Sequence, residues 1–182
     1  GNDFPGIALF NTGPAGTLVQ GNLIGTNAAG TAALANEQAG LIVGGFAIGG
    51  DCPGCPNTAT DNTIGGTSAP LRNVISGNHG NGAELINLFS ERNFIQGNYI
   101  GTNAAGDAPV RNTSNGILIT RAPNNTIGGS TAAAGNVISG NALHGIGVGI
   151  PRFDPVSGQT ITGGTGVMIR FNFIGTAADG VS

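Results

Sequence analysis

The chain has 182 residues, 35 of them glycine, yet no Gly-X-Y period runs through it, which excludes a collagen-like triple helix. Only 8% of residues are charged and the net charge is -3, with six arginines and no lysine, so phosphate neutralisation on nucleic acid is not its business. No apolar run reaches the ~18 residues of a membrane-spanning helix, and an aliphatic content this high with so little charge does not describe a disordered chain.

Read from the N-terminus, the chain falls into five similar stretches. Each opens with a glycine followed by alternating apolar residues: Gly6-Ile7-Ala8-Leu9, Gly40-Leu41-Ile42-Val43, Gly82-Ala83-Glu84-Leu85, Gly116-Ile117-Leu118-Ile119 and Gly145-Ile146-Gly147-Val148. Their period is two, the spacing of a strand. Further along each stretch comes Asn-x-Ile, at Asn22/Ile24, Asn73/Ile75, Asn98/Ile100, Asn136/Ile138 and Asn172/Ile174. Between the two lies another apolar position: Val19, Ile64, Ile95, Ile127 and Ile169.

Two phrases alternate around this core. Phrase A, Gln20 to Gly30, returns at Gln96 to Gly106 and in degraded form at Arg170 to Gly180. Phrase B, Asn62 to Gly66 with Asn73 to Asn78, returns at Asn125 to Gly129 with Asn136 to Asn141. The stretches therefore run A, B, A, B, A, divided at 6–39, 40–81, 82–115, 116–144 and 145–182. The A-type stretches carry an excursion after the isoleucine, Thr31 to Leu34 and Asp107 to Val110, and two insertions stand out, at 44–61 and 151–164.

Self-similarity of this kind is the mark of a solenoid, in which each unit buries its apolar face against the next. Three short strands per unit predict a three-faced coil, each strand pairing in parallel with its equivalent one coil away, ~4.8 Å along the axis. Ile24, Ile75, Ile100, Ile138 and Ile174 form one inward column. Asn22, Asn73, Asn98, Asn136 and Asn172 form a second, whose amides can hydrogen-bond along the axis. A further asparagine column is expected at Asn27, Asn78, Asn103 and Asn141, ending at Ala177. Residues 1–182 read as one solenoid domain; both ends interrupt a phrase and neither shows a polar cap, so a segment of a longer array, or a protomer whose ends are covered by its neighbours, is expected.

The Gly-Ile-x-Ile and Asn-x-Ile-x-Gly-Asn cadence resembles the right-handed parallel β-helix of the pectin-lyase-like superfold, in its generic parallel β-helix repeat form. The resemblance implies an all-β fold. It does not by itself imply an activity, because that superfold hosts enzymes, adhesins and inert stalks alike. In its calcium-dependent lyases it would imply clustered carboxylates on one face; here the outward row reads Ala8, Ile42, Glu84, Leu118, Gly147, with one acid. In its polygalacturonases it would imply Asn-Thr-Asp, Asp-Asp and Gly-His-Gly phrases, and none is present.

The remaining candidates are few. Cys52 and Cys55, with Pro53 and Gly54 between them, lie in the larger insertion; with no second ligand pair nearby they read as a small disulfide of an exported protein. Asp51 and Asp61 share that loop and form a candidate carboxylate pair. His79 and His144 sit in turns at different offsets, which argues against a shared metal. Arg72, Glu91 and Arg92 read as surface charge. Phe89, Phe94, Tyr99 and Phe173 either stack on one another between coils or offer a face to sugar rings. Asn112 and Asn124 each begin a glycosylation sequon. No cofactor or metal is called for. The sequence reading is a structural or surface module, a stalk, adhesin body or filament subunit outside the cell, with neighbouring coils or its own copies as partners. The rival reading is a protein that binds or degrades polysaccharide.

Overall fold

A computed structural model of the chain describes residues 1–13, 15–44, 58–149, 152–154, 159–161 and 163–180. It is a parallel β-helix of five coils, with nearly every strand in one of three five-stranded parallel sheets. The first sheet joins β1 (Ile7–Phe10), β4 (Leu41–Gly44), β7 (Ala83–Ile86), β10 (Ile117–Thr120) and β13 (Ile146–Val148). The second joins β2 (Leu18–Val19), β5 (Thr63–Gly65), β8 (Phe94–Gln96), β11 (Thr126–Gly128) and β16 (Met168–Arg170). The third joins β3 (Leu23–Ile24), β6 (Val74–Ile75), β9 (Tyr99–Ile100), β12 (Val137–Ile138) and β17 (Phe173–Ile174).

Register follows side-chain identity. Ile75 pairs with Ile24 and Ile100, and Ile138 with Ile100 and Ile174. Ile64 pairs with Val19 and Ile95, and Ile127 with Ile95 and Ile169. In the first sheet Leu41, Val43, Leu85, Ile117 and Ile119 point into the same interior. Shifting any strand by one residue would turn its apolar side chain outward, which is why strands only two or three residues long hold their register.

The corners between sheets are sharp, and some admit only glycine. Gly101 has φ +87°, and a Cβ there would lie 2.4 Å from the Asn141 side-chain oxygen. Gly65 has φ +90°, and a Cβ would lie 2.0 Å from the Gln96 carbonyl. Each glycine lets the backbone of one coil pass against the next at a point where any side chain would collide. Two short 3-10 turns, Ala69–Leu71 and Ala132–Ala134, link the second and third sheets in the B-type coils.

Both insertions are narrower than their sequence bounds. Gly44 is the last residue of β4, paired with Phe10 and Ile86. Ala59 is fully buried and bridges Gly13, so the chain has rejoined the coil before residue 61. In the second insertion β14 (Arg152–Asp154) and β15 (Gln159–Ile161) make an antiparallel hairpin, and the Gly163 carbonyl already accepts from the Arg121 backbone. Cys52, Cys55 and Asp51 lie outside the described residues.

The A-type excursion forms a second layer. Its outgoing and returning arms bridge in antiparallel fashion, Thr26 with Ala33 and Thr102 with Pro109. It covers the outward side of the third sheet, where Val74 and Val137 are each only 4% exposed and pack with Tyr99 and Ala178. Tyr99 is therefore not part of an open aromatic face; the Arg72 guanidinium sits 4.0 Å from its ring centre. Phe89 and Phe94 lie on the surface, 54% and 42% exposed.

Candidate functional site

The densest chemistry in the described residues is amide chemistry, arranged in columns at the corners. Asn73 is fully buried, and every hydrogen-bonding group of its side chain is used. Its Oδ1 accepts from the backbone and side-chain nitrogens of Asn22, both at 3.0 Å; its Nδ2 donates to Val19 O at 2.8 Å and to Asn98 Oδ1 at 2.9 Å. The pattern repeats along the column, with Asn98 donating to Asn136 at 3.0 Å and Asn136 to Asn172 at 2.8 Å. Asparagine alone fits: aspartate has no donors, and serine has neither the reach nor two donors.

The second column differs from the one expected. Its members are Asn2, Asn36, Asn78, Asn112 and Asn141, linked side chain to side chain at 2.8, 2.8, 2.9 and 2.9 Å. Asn27 and Asn103 do not belong to it. They occupy the same sequence offset as Asn78, but the excursion intervenes before the chain regains the corner. Each instead closes its own excursion, Asn27 accepting from the Thr31 backbone at 2.9 Å and Asn103 from that of Gly106 at 2.8 Å.

Two further columns were not read from the sequence. Asn62, Asn93 and Asn125 stack before the second sheet at 2.8 and 3.0 Å, with the Thr17 backbone donating to Asn62 from the first coil. Their signal was present, since each begins an Asn-x-Ile of its own. The fourth column is Asn81, Asn115 and His144, and its polarity is reversed. Asn115 donates back to Asn81 at 2.8 Å, and His144 Nδ1–H donates to Asn115 Oδ1 at 2.8 Å. The backbone sets this direction: the Asn115 and His144 N–H groups donate to Asn81 Oδ1 at 2.9 Å and Asn115 Oδ1 at 3.2 Å, which leaves Asn81 Nδ2 to donate to the Glu84 carboxylate. Glu84 and His144 are thus held by a structural column and do not converge on a common point.

Ionic side chains pair on the surface. Arg92 grips Asp61 with two parallel bonds, Nε to Oδ1 and a terminal nitrogen to Oδ2, both at 3.0 Å, and its other terminal nitrogen takes Glu91. Asp61, Arg92 and Asn124 stand at equivalent corners with φ of 60°, 56° and 56°. The Arg92 hydrogen bonds hold the Asp61 carboxyl below the ordinary aspartate range. A carboxyl so held does not keep a proton to donate near neutral pH. His79 pairs with Glu37 at 3.0 Å. No group of three or more His, Cys, Asp or Glu among the described residues is placed to hold a metal ion.

The two sequons differ in kind. Asn112 is fully buried, and its Nδ2 protons are spent on Ile75 O and Asn141 Oδ1, so it is a scaffold residue. Asn124 lies exposed at its corner. Among the described residues no helix is long and apolar enough to cross a membrane. No protein-family model matches the chain, and no curated protein or solved structure matches it.

The corrected column predicts unequal substitutions. Asn112→Ala strands the backbone and side-chain donors of Asn78 and an acceptor on Asn141, and should cost roughly 2–5 kcal/mol. Asn103→Ala removes bonds that solvent can replace and should cost about 1 kcal/mol. Denaturant midpoints of the two variants measure the difference; equal losses would return Asn103 to the column.

The Asp61–Arg92 pair predicts a pH dependence. Because the folded carboxyl titrates below its unfolded value, its stabilisation is present above roughly pH 4 and fades as pH falls through the lowered folded value. Arg92→Ala should return Asp61 to the ordinary range in a carboxyl-resolved NMR titration and remove that part of the acid sensitivity. An unmoved Asp61 would show that Arg92 is not the cause.

Proposed function

We propose that this chain is a structural β-solenoid of the right-handed, pectin-lyase-like kind, serving as the stalk, adhesin body or filament module of an exported or cell-surface protein. The observation that supports it best is the saturation of the corner asparagines. Bonds that run coil to coil at several corners stiffen the stack along its axis, which is what a spacer or stalk requires. The low charge fits an outer surface of Asn, Thr, Ser and Gly over an aliphatic interior. The acids and histidines described above are tied into pairs or columns, and Asp61 in particular is committed to Arg92.

A second reading, polysaccharide binding or cleavage, draws support from the exposed Phe94 ring on the second sheet. In the register of that sheet it stands between Thr63 and Thr126. Aromatic faces stack on sugar rings, and threonine hydroxyls can bond them.

The two readings separate in one experiment. The protein is added to pectin, alginate and similar polymers while viscosity is followed, and oligosaccharide binding is measured for the parent and for Phe94→Ala. The structural reading predicts unchanged viscosity and no Phe94-dependent binding. A fall in viscosity would overturn it, and binding lost with Phe94 would make the module a glycan-binding one.

A further inference from the structure

The alternation of coil types has a steric cause. In coils 1 and 3 the excursion leaves and returns as two bridged arms, and it is too tall for one layer. The returning arm lies against the following B-type coil: a Cβ on Gly77 would meet the Ala33 Cβ at 2.8 Å, and one on Gly140 would meet the Pro109 Cβ at 2.8 Å. Gly77 and Gly140 have φ of +77° and +73°, so both backbone and space demand glycine where the neighbour's excursion passes.

The excursions also reach one another across the intervening coil. Ala104 N donates to Gly30 O at 2.9 Å, and Ala178 N donates to Gly106 O at 2.9 Å. A Cβ on Gly30 would lie 2.6 Å from the Ala104 Cβ, and one on Gly106 would lie 2.8 Å from the Ala178 Cβ. Excursions two coils apart, ~10 Å along the axis, already touch. Two excursions one coil apart would have half that height and would occupy the same space. A B-type coil supplies the missing layer: it has no excursion, its corner is glycine, and its outward valine, Val74 or Val137, is covered by the excursions of its neighbours.

We infer that an A-type coil accepts only a B-type coil as its axial neighbour, so that the unit of recognition along this solenoid is the coil pair. The partner that fits the axial face of an A-type coil is thus a coil of the Asn-x-Ile-Ser-Gly-Asn kind. The rule follows from packing and holds whether or not the solenoid is a stalk.

Duplications test it without removing any residue. In the first variant, residues 82–144 are repeated after His144, giving the order A, B, A, B, A, B, A. In the second, residues 82–115 are repeated after Asn115, giving A, B, A, A, B, A. Both junctions reproduce the natural step into a glycine. Thermal unfolding followed by circular dichroism should show one transition for the pair duplication, with Tm no lower than that of the parent. The single-coil duplication should lose the cooperative transition or melt about 10 °C or more lower. Equal Tm values for the two variants would overturn the rule, as would failure of the pair duplication to fold.

Discussion

The structure depends on one constraint: a buried primary amide must satisfy two donors and two acceptor sites at once. Asn73 does so with partners drawn from the coil before and the coil after. Leaving any of these groups unpaired in the interior would cost on the order of 1–3 kcal/mol. The amide therefore holds the spacing and registration of three coils, and the isoleucine two places on, packed in its own column, fixes which way the strand faces. Short strands that would be marginal alone become cooperative through these shared corners.

Polarity extends the same logic. In three columns the side-chain amide donates toward the later coil, while in the fourth Asn115 donates toward the earlier one. In that column the backbone N–H groups of Asn115 and His144 donate to the preceding Oδ1, which turns each amide the other way; Glu84 accepts at the head of the column, and His144 closes its other end with a ring N–H. A side chain that looks like a catalytic candidate in isolation is here the terminus of a structural chain.

The inward stacks were legible in the sequence because period-two alternation and the fixed Asn-x-Ile offset survive every loop. The Ile24 to Ile174 column and the Asn22 to Asn172 column needed nothing more. The second asparagine column was misassigned because Asn27 and Asn78 share the same offset from an isoleucine, and only the folded excursion shows that Asn36 takes the corner. The third column was hidden because coils 1 and 5 carry Thr17 and Val167 where Asn62, Asn93 and Asn125 stand. Tyr99 could not be placed from its spacing alone, since its burial depends on an excursion folding back over the third sheet. The pairing of Asp61 with Arg92 likewise joins two coils, and no local pattern announces it.

The central claim is that the corner asparagines, through their side chains, carry the coil-to-coil bonding. Hydrogen exchange of side-chain amide protons, read by NMR, tests it most directly. Strong protection is predicted for the Nδ2 protons of Asn73, Asn93, Asn98, Asn112 and Asn125, with rapid exchange at Asn27, Asn103 and Asn124. Uniformly rapid exchange at all of these side chains, in a protein whose backbone amides remain protected, would contradict the account.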